Sequence, residues 1–306
     1  MLEIAGAVIP RLFFILHSLV AVWRVTHSLH ERQYALLALL NVLLIVEMIW
    51  ALKKRKGKDC KWFSPAILLY LICVMPSIWI LEVHHHQAEN NDKNVSNKCI
   101  ELNNELAGAN SYHLSFNQNL TEIFELLSSA CNDAWILGLH QTLLILLIVG
   151  KWVLPMGYGI TRDEFSQLLL IFVSIAADIL EFTTETLSEP NVRKNTVLVY
   201  AILGVWSWSM LQFPLHLAVL HTEPSSASQN SSGSLLSTYR ADIWNIIVSL
   251  FIHDGPFFVL RMFVMIHFKV IHQMLVFFSI KNFLVLLIQI YRLSVICEDY
   301  RSRLPH

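Results

Sequence analysis

Most of this 306-residue chain lies in apolar stretches about 20 residues long, the length that an α-helix needs to cross the hydrocarbon core of a bilayer. Hydrophobic residues make up 55% of the chain, above the roughly 45–50% of soluble domains. Inside lipid every backbone N–H and C=O must be bonded within the protein, which a helix achieves along its own length. We therefore predict an all-α fold, a polytopic membrane helix bundle that forms one domain over residues 1–306. About eight transmembrane helices are expected, at residues 5–24, 33–52, 62–82, 134–153, 165–182, 197–219, 241–261 and 274–296.

A basic run between the second and third stretches indicates the orientation. One short loop holds Lys53, Lys54, Arg55, Lys56, Lys58 and Lys61. Because short loops rich in Lys and Arg stay in the cytoplasm, we expect both termini to be cytoplasmic and residues 83–133 to form an extracellular or lumenal loop. We expect a multi-pass protein of the plasma membrane. The chain has a net charge of −1, and no sustained basic face follows from the sequence beyond this loop. The expected partner is therefore the lipid bilayer and not nucleic acid.

The predicted outer loop contains signals of an oxidising, glycosylating compartment. Asn94 and Asn119 each begin an N-x-S/T acceptor sequence, so we predict a glycoprotein with sugars at both positions. A further acceptor at Asn230 falls in a loop that we place inside, and we discount it. Cys99 and Cys131 share the outer loop, where they can form a disulfide.

The second half of the same loop has a helical pattern. Ser115 and Gln118 have the spacing of a capping box. The apolar residues that follow recur at helical spacing, at Phe116, Leu120, Ile123, Phe124 and Leu127. We predict a short amphipathic helix on the outer membrane surface or against the bundle.

Several ionisable residues fall inside the predicted spans. At about 1.5 Å per residue, five of them come to a similar depth in the outer half of the membrane: His17, His140, Asp178, Asp254 and Lys281. Since charge at this depth is costly, such residues pair with one another or mark a functional path. Asp178 has no evident neutralising partner in its own helix and is the first candidate for a functional role.

Two ion pairs are predicted among the charged residues of the spans. Asp254 and Lys281 lie in spans seven and eight, which are antiparallel neighbours, and form the first pair. Arg11 and Glu47 have opposite charge and similar depth in the inner half, and we interpret them as a structural pair. Both pairs remain open to two interpretations, interhelical packing or part of a functional cavity.

Span seven is interrupted beside one of these acids. In the sequence His253-Asp254-Gly255-Pro256, Pro256 has no N–H to donate to the carbonyl of Ile252. A free carbonyl next to a buried acid is how broken helices build ion and solute sites in membranes.

Sequence strings along the spans carry a resemblance to a known family. They are RLFFILHSLVAVWRVT (11–26), KWFSPAILLYLICVMPSIWILEVHH (61–85), GLHQTLLILLIVGKWVLP (138–155), GITRDEFSQLLLIFVSIAADILEFTTETL (159–187), WSWSMLQFPL (206–215) and HDGPFFVLRM (253–262). They resemble the transmembrane protein 26 family over nearly the whole chain apart from residues 86–133. The resemblance implies a multi-pass membrane protein of about eight helices, and it brings no assigned activity, substrate or catalytic residue.

Three classes of function are compatible with this sequence. We favour a non-enzymatic membrane protein, receptor-like or a scaffold, in which the charges specify helix packing. The alternative is a transporter or channel that uses Asp178, Asp254 and Lys281, although we find no internal repeat of the kind that transporters usually have. The third is an intramembrane metal-dependent hydrolase with His140, Asp178 and His253. Because neither H-E-x-x-H nor G-x-S-x-G occurs, we name no catalytic residue, metal or cofactor.

Overall fold

A computed structural model describes residues 2–55, 57, 63–91, 132–154, 162–188, 192, 195–215, 243–244, 246–269 and 273–302. Several predictions concern residues outside these ranges. They are the glycosylation at Asn94 and Asn119, the disulfide between Cys99 and Cys131, and the amphipathic helix of the outer loop.

Most of the described residues lie in helices. In chain order the α-helices are α1 (Leu2–Leu29), α2 (Asn41–Arg55), α3 (Pro65–Asn91), α4 (Asn132–Val153), α5 (Arg162–Ser188), α6 (Thr196–Met210), α7 (Gly255–Phe268) and α8 (Gln273–Ser302). A 3₁₀ segment, Arg32–Leu40, leads into α2, and a π-helical turn, Ser249–Asp254, leads into α7. No strand occurs in this part of the chain, where the β contact is an isolated antiparallel bridge between Phe63 and Leu215.

Six helical segments of the described residues are long and apolar enough to cross a membrane. They are Gly6–Leu29, Arg32–Arg55, Pro65–Gln87, Ala134–Val153, Ile246–Phe268 and Gln273–Asp299. Helices α5 and α6 lie at the fifth and sixth predicted spans but are not among the six. With 15 residues, α6 rises only about 22 Å, less than the roughly 30 Å of a bilayer core. The total of eight spans therefore stays a prediction.

The π-helical turn before α7 is the response of the backbone to Pro256. Because Pro256 has no N–H, the helix widens there, and the N–H of Gly255 bonds to the carbonyl of Leu250, five residues earlier. A Cβ atom at Gly255 would lie 2.1 Å from that carbonyl oxygen, so only glycine fits. The turn therefore depends on the Gly-Pro pair, and it places His253 and Asp254 in the buried interior.

The core lies between α1, α3 and α4, with α6 and α7 packed on one side. Phe14 of α1 stacks on Tyr70 of α3 with ring centroids 4.3 Å apart, and Leu143 and Trp206 are fully buried beside them in the same apolar cluster. Helices α2 and α8 lie at the periphery. Only 22% of an apolar 18-residue segment in Arg32–Arg55, which includes α2, and 17% of one in α8 is buried. Their outward-facing apolar side chains, such as Val46 and Ile288, are suited to contact with lipid.

Candidate functional site

The buried charges of the predicted spans lie at interfaces between helices. Arg11 of α1 donates from Nε and Nη2 to the two carboxylate oxygens of Glu47 in α2, at 2.8 and 3.1 Å. Its Nη1 donates to the carbonyl of Ala7 at 2.7 Å. The two side chains are 1% and 5% exposed. This is a bidentate, desolvated pair, the strongest geometry available to an Arg and a carboxylate.

A second contact joins helices that are far apart in the sequence. Lys281 of α8 donates to Oδ1 of Asp178 in α5, and the other carboxylate oxygen of Asp178 lies 3.6 Å from Nε2 of His253 in the π-helical turn. On the far side of the imidazole, the amide nitrogen of Gln212 lies 3.3 Å from Nδ1. Asp178 therefore faces two basic side chains from two different elements.

The prediction that Lys281 forms an ion pair with Asp254 is wrong. Lys281 bonds to Asp178 instead, because α8 contacts α5 as well as α7 and its lysine reaches across to the other helix. Asp254 accepts a hydrogen bond from Oγ of Ser249 at 2.6 Å, one π-helical turn earlier. Proximity along the chain was the basis of the prediction, and it did not identify the third helix at this junction.

Arg261 was not identified as a site residue from the sequence. It is buried in α7, and its Nη2 donates to Oε2 of Glu181 in α5. Its guanidinium also lies over three aromatic rings, those of Phe278 at 5.1 Å, Phe182 at 5.4 Å and Phe257 at 5.9 Å. Spacing contains a signal for this contact, since Glu181 follows Asp178 by three residues on one helix and Arg261 follows Asp254 by seven on another, which puts each pair on one helix face.

We use the name α5–α7–α8 cluster for the polar side chains at this junction. Its members are Asp178, Glu181, His253, Asp254, Arg261 and Lys281. The cluster combines two residues of the predicted outer-half layer that touch each other, Asp178 and Lys281, with a third, Asp254, on the adjoining turn.

The two histidines of the predicted layer lie at other interfaces. The Nε2 atom of His140 in α4 lies 3.2 Å from the carboxylate of Glu82 in α3, and its ring packs 4.8 Å from that of Trp206. His17 in α1 shares a 2.8 Å hydrogen bond between its Nδ1 and the hydroxyl of Tyr70 in α3. The five residues of the predicted layer therefore do not converge on one site.

Lys151, in the last turn of α4, is a further buried cation that the sequence analysis did not single out. Its Nζ donates to the carbonyl of Leu215 at 3.1 Å and lies 5.1 Å from the ring centre of Phe172. Leu215 also forms the bridge to Phe63. Lys151 thus ties α4 to the segment that follows α6.

The residues predicted for a hydrolase occupy two separate interfaces. His140 lies with Glu82, whereas His253 lies with Asp178. Across the described ranges, no three His, Cys, Asp or Glu side chains are grouped closely enough to hold a metal ion.

One apolar groove with a volume of 510 Å³ runs between α1 and α4, away from the α5–α7–α8 cluster. Its lining includes Phe13, Leu16, Val20, Trp135, Leu139 and Leu146.

The family model described as Transmembrane protein 26 matches residues 1–292 of the chain. No solved structure matches the chain.

Proposed function

This chain belongs to the transmembrane protein 26 family, and we propose that it is a non-enzymatic multi-pass membrane protein, receptor-like or a scaffold. In this proposal the buried charges assemble the helices and do not act on a substrate. The carrying observation is that four pairs of charged or ionisable side chains meet across interfaces between helices.

Four such contacts link different pairs of helices. They are Arg11 with Glu47 (α1 and α2), Glu82 with His140 (α3 and α4), Asp178 with Lys281 (α5 and α8), and Glu181 with Arg261 (α5 and α7). A charge that meets its partner across a helix interface is compensated there, and each contact favours one arrangement of neighbouring helices over others. The set therefore supports a packing role.

We further propose that both termini are cytoplasmic and that the protein resides in the plasma membrane. The basic run beginning at Lys53 supports this orientation. In the same proposal the outer loop carries sugars at Asn94 and Asn119 and a disulfide between Cys99 and Cys131. A large, glycosylated outer loop suits a receptor-like protein, because loops on a rigid scaffold are where binding residues concentrate.

The test compares a broken charge pair with a pair replaced on both sides. Asp178→Leu alone should lower surface expression, because it leaves Lys281 without its acceptor, whereas Asp178→Leu with Lys281→Leu should recover expression. Wild-type protein and the double variant, each in proteoliposomes, should show the same ionic leak as empty vesicles. An ionic current carried by the wild type and lost in a normally expressed double variant would overturn the packing proposal in favour of transport.

A further inference from the structure

The last turn of α2 contains three of the basic side chains of the run that begins at Lys53. They are Lys53, Lys54 and Arg55. From residue 53 to residue 61 the sequence has six basic residues and one acidic residue, Asp59. An excess of Lys and Arg in a short loop orients a membrane protein through the number of its charges. The face of the helix on which the lysines lie is therefore a separate observation.

The two lysines continue the lipid-facing side of α2. Val46, Ile49 and Trp50 on this side are 58%, 47% and 47% exposed. Residues three, four or seven apart share one face of a helix. Lys53 therefore lies on the same face as Val46 and Ile49. Lys54 follows Trp50 by four residues, and both lysines are exposed. One face of α2 thus passes directly from apolar side chains suited to lipid tails to two cations.

Trp50 indicates the depth at which these cations lie. Its ring centre lies 5.5 Å from Nζ of Lys54 and 4.2 Å from Cζ of Arg55. Tryptophan is enriched where the hydrocarbon core of a membrane meets the headgroups. The helix ends at the same level, because Gly57 has a φ of 84° and donates its N–H to the carbonyl of Ala51 at 3.0 Å. The cations beside Trp50 are therefore placed at the level of the headgroups.

The charges of the two lysines are not neutralised within the described part of the chain. Neither Lys53 nor Lys54 forms an ion pair there. The acid of α2, Glu47, accepts both of its hydrogen bonds from Arg11 and lies 3.9 Å from Arg55. The two lysines can therefore bind an anion from outside the protein.

We propose that Lys53 and Lys54 form a binding site for the headgroup of an anionic phospholipid, whose acyl chains lie along Val46 and Ile49. The phosphate of the lipid accepts hydrogen bonds from the ammonium groups, and the tails cover the apolar face of α2. Charge complementarity selects an anionic phospholipid over a neutral one. The adjoining apolar face selects a lipid over a soluble phosphate compound.

This inference goes beyond a packing role, because it gives the outward face of α2 a specific partner. In the proposed orientation this end of α2 lies at the cytoplasmic leaflet, which carries anionic lipids. None of the four contacts between helices that support the packing role involves Lys53 or Lys54. Failure of the lipid site would therefore leave the packing role intact. Binding in detergent also does not depend on the orientation, because both ends of α2 are then accessible.

The experiment measures lipid binding by native mass spectrometry of the full chain in a non-ionic detergent. Phosphatidylserine and phosphatidylcholine are titrated separately, and each titration gives a dissociation constant. The wild type should bind phosphatidylserine at least about tenfold more tightly than phosphatidylcholine. Lys53→Gln with Lys54→Gln should lose most of this preference, whereas Lys53→Arg with Lys54→Arg should keep it. An undiminished preference in the glutamine variant would overturn the proposal.

The matched control removes two exposed positive charges elsewhere. Arg32 begins the 3₁₀ segment and Lys269 follows α7, and both are exposed. Arg32→Gln with Lys269→Gln should keep the preference for phosphatidylserine. A loss as large as that expected for the Lys53 and Lys54 variant would contradict the proposal, because total charge would then account for binding.

A soluble competitor distinguishes a lipid site from a site for free phosphate compounds. O-Phospho-L-serine has the charged groups of the phosphatidylserine headgroup without the acyl chains. Added at the same concentration as the lipid, it should leave phosphatidylserine bound. Displacement of the lipid by this compound would reject a lipid site.

Discussion

The guanidinium of Arg11 has each of its three nitrogen atoms bonded, two to Glu47 and one to the carbonyl of Ala7. Such complete pairing is what makes a buried cation tolerable, because desolvation of an ion costs several kcal/mol unless its partners replace the lost water. The pair joins α1 to α2, and both helices contact α3. The contribution of the Arg11–Glu47 pair to stability therefore depends on both side chains being present.

We expect Glu47→Leu to destabilise the protein by about 3 kcal/mol or more, because it leaves Arg11 buried without its carboxylate. The double variant Arg11→Met with Glu47→Leu should recover most of this loss, since two apolar side chains need no ionic partner. Thermal unfolding in nanodiscs measures both effects.

Glu298→Gln serves as the control for this pair, because Glu298 is exposed on α8 and its replacement should change stability by less than about 0.5 kcal/mol. A double variant as unstable as Glu47→Leu alone would mean that the pair contributes more than compensation of charge.

At the scale of single elements, the π-helical turn shows how a local backbone constraint positions the α5–α7–α8 cluster. Pro256 removes one donor, the N–H of Gly255 reaches back to Leu250, and the added width of the turn rotates His253 and Asp254 relative to a regular helix. Single π-helical turns of this kind are frequent at functional sites. The turn requires glycine at position 255, because the carbonyl oxygen of Leu250 lies too close to leave room for a Cβ atom.

Gly255→Ala should destabilise α7, because the new Cβ atom would meet the Leu250 carbonyl oxygen at 2.1 Å. Gly204→Ala in α6 is the matched control, since a Cβ atom there has nothing within 4 Å and alanine favours a helix over glycine by about 0.5–1 kcal/mol. We therefore expect the two variants to shift the midpoint of thermal unfolding in opposite directions. Equal midpoints for both would show that the turn relaxes without cost.

At the scale of the whole molecule, the peripheral helices are held by few specific contacts. Only 17% of an apolar 18-residue segment of helix α8 is buried. Its specific links to the rest of the bundle include Lys281 on Asp178, Phe283 on Phe258 and Phe278 against Arg261. Most of its apolar surface is available to lipid, so its position depends on a small number of polar and aromatic anchors.

The orientation proposed for the whole molecule predicts which acceptor asparagines are glycosylated. Expressed in mammalian cells, the chain should lose apparent mass when treated with an N-glycosidase, and Asn94→Gln with Asn119→Gln should abolish this change. Asn230→Gln should leave it intact, because Asn230 falls in a loop placed in the cytoplasm. If Asn230→Gln alone abolished the loss of apparent mass, the orientation would be the opposite of the proposed one.

The sequence was informative about elements and about which residues need partners. Helical folding in a membrane, most helix positions and the placement of Arg11, Glu47 and Asp178 within helices of the bundle all follow from local patterns. It was less informative about partners. Arg261 was missed because its acid, Glu181, lies 80 residues away on another helix, and Lys281 was assigned to the wrong acid because only neighbouring spans were considered.

The sequence by itself determined that this chain is a multi-pass helical membrane protein, because long apolar stretches leave the backbone no other way to satisfy its hydrogen bonds in lipid. Only the tertiary structure decided how the charges of α5, α7 and α8 pair. The contact between Asp178 and Lys281 joins residues 103 positions apart, and the contact between Glu181 and Arg261 joins residues 80 apart. Such pairs depend on which helices become neighbours, and that arrangement arises from the packing of the whole bundle, which no local periodicity specifies.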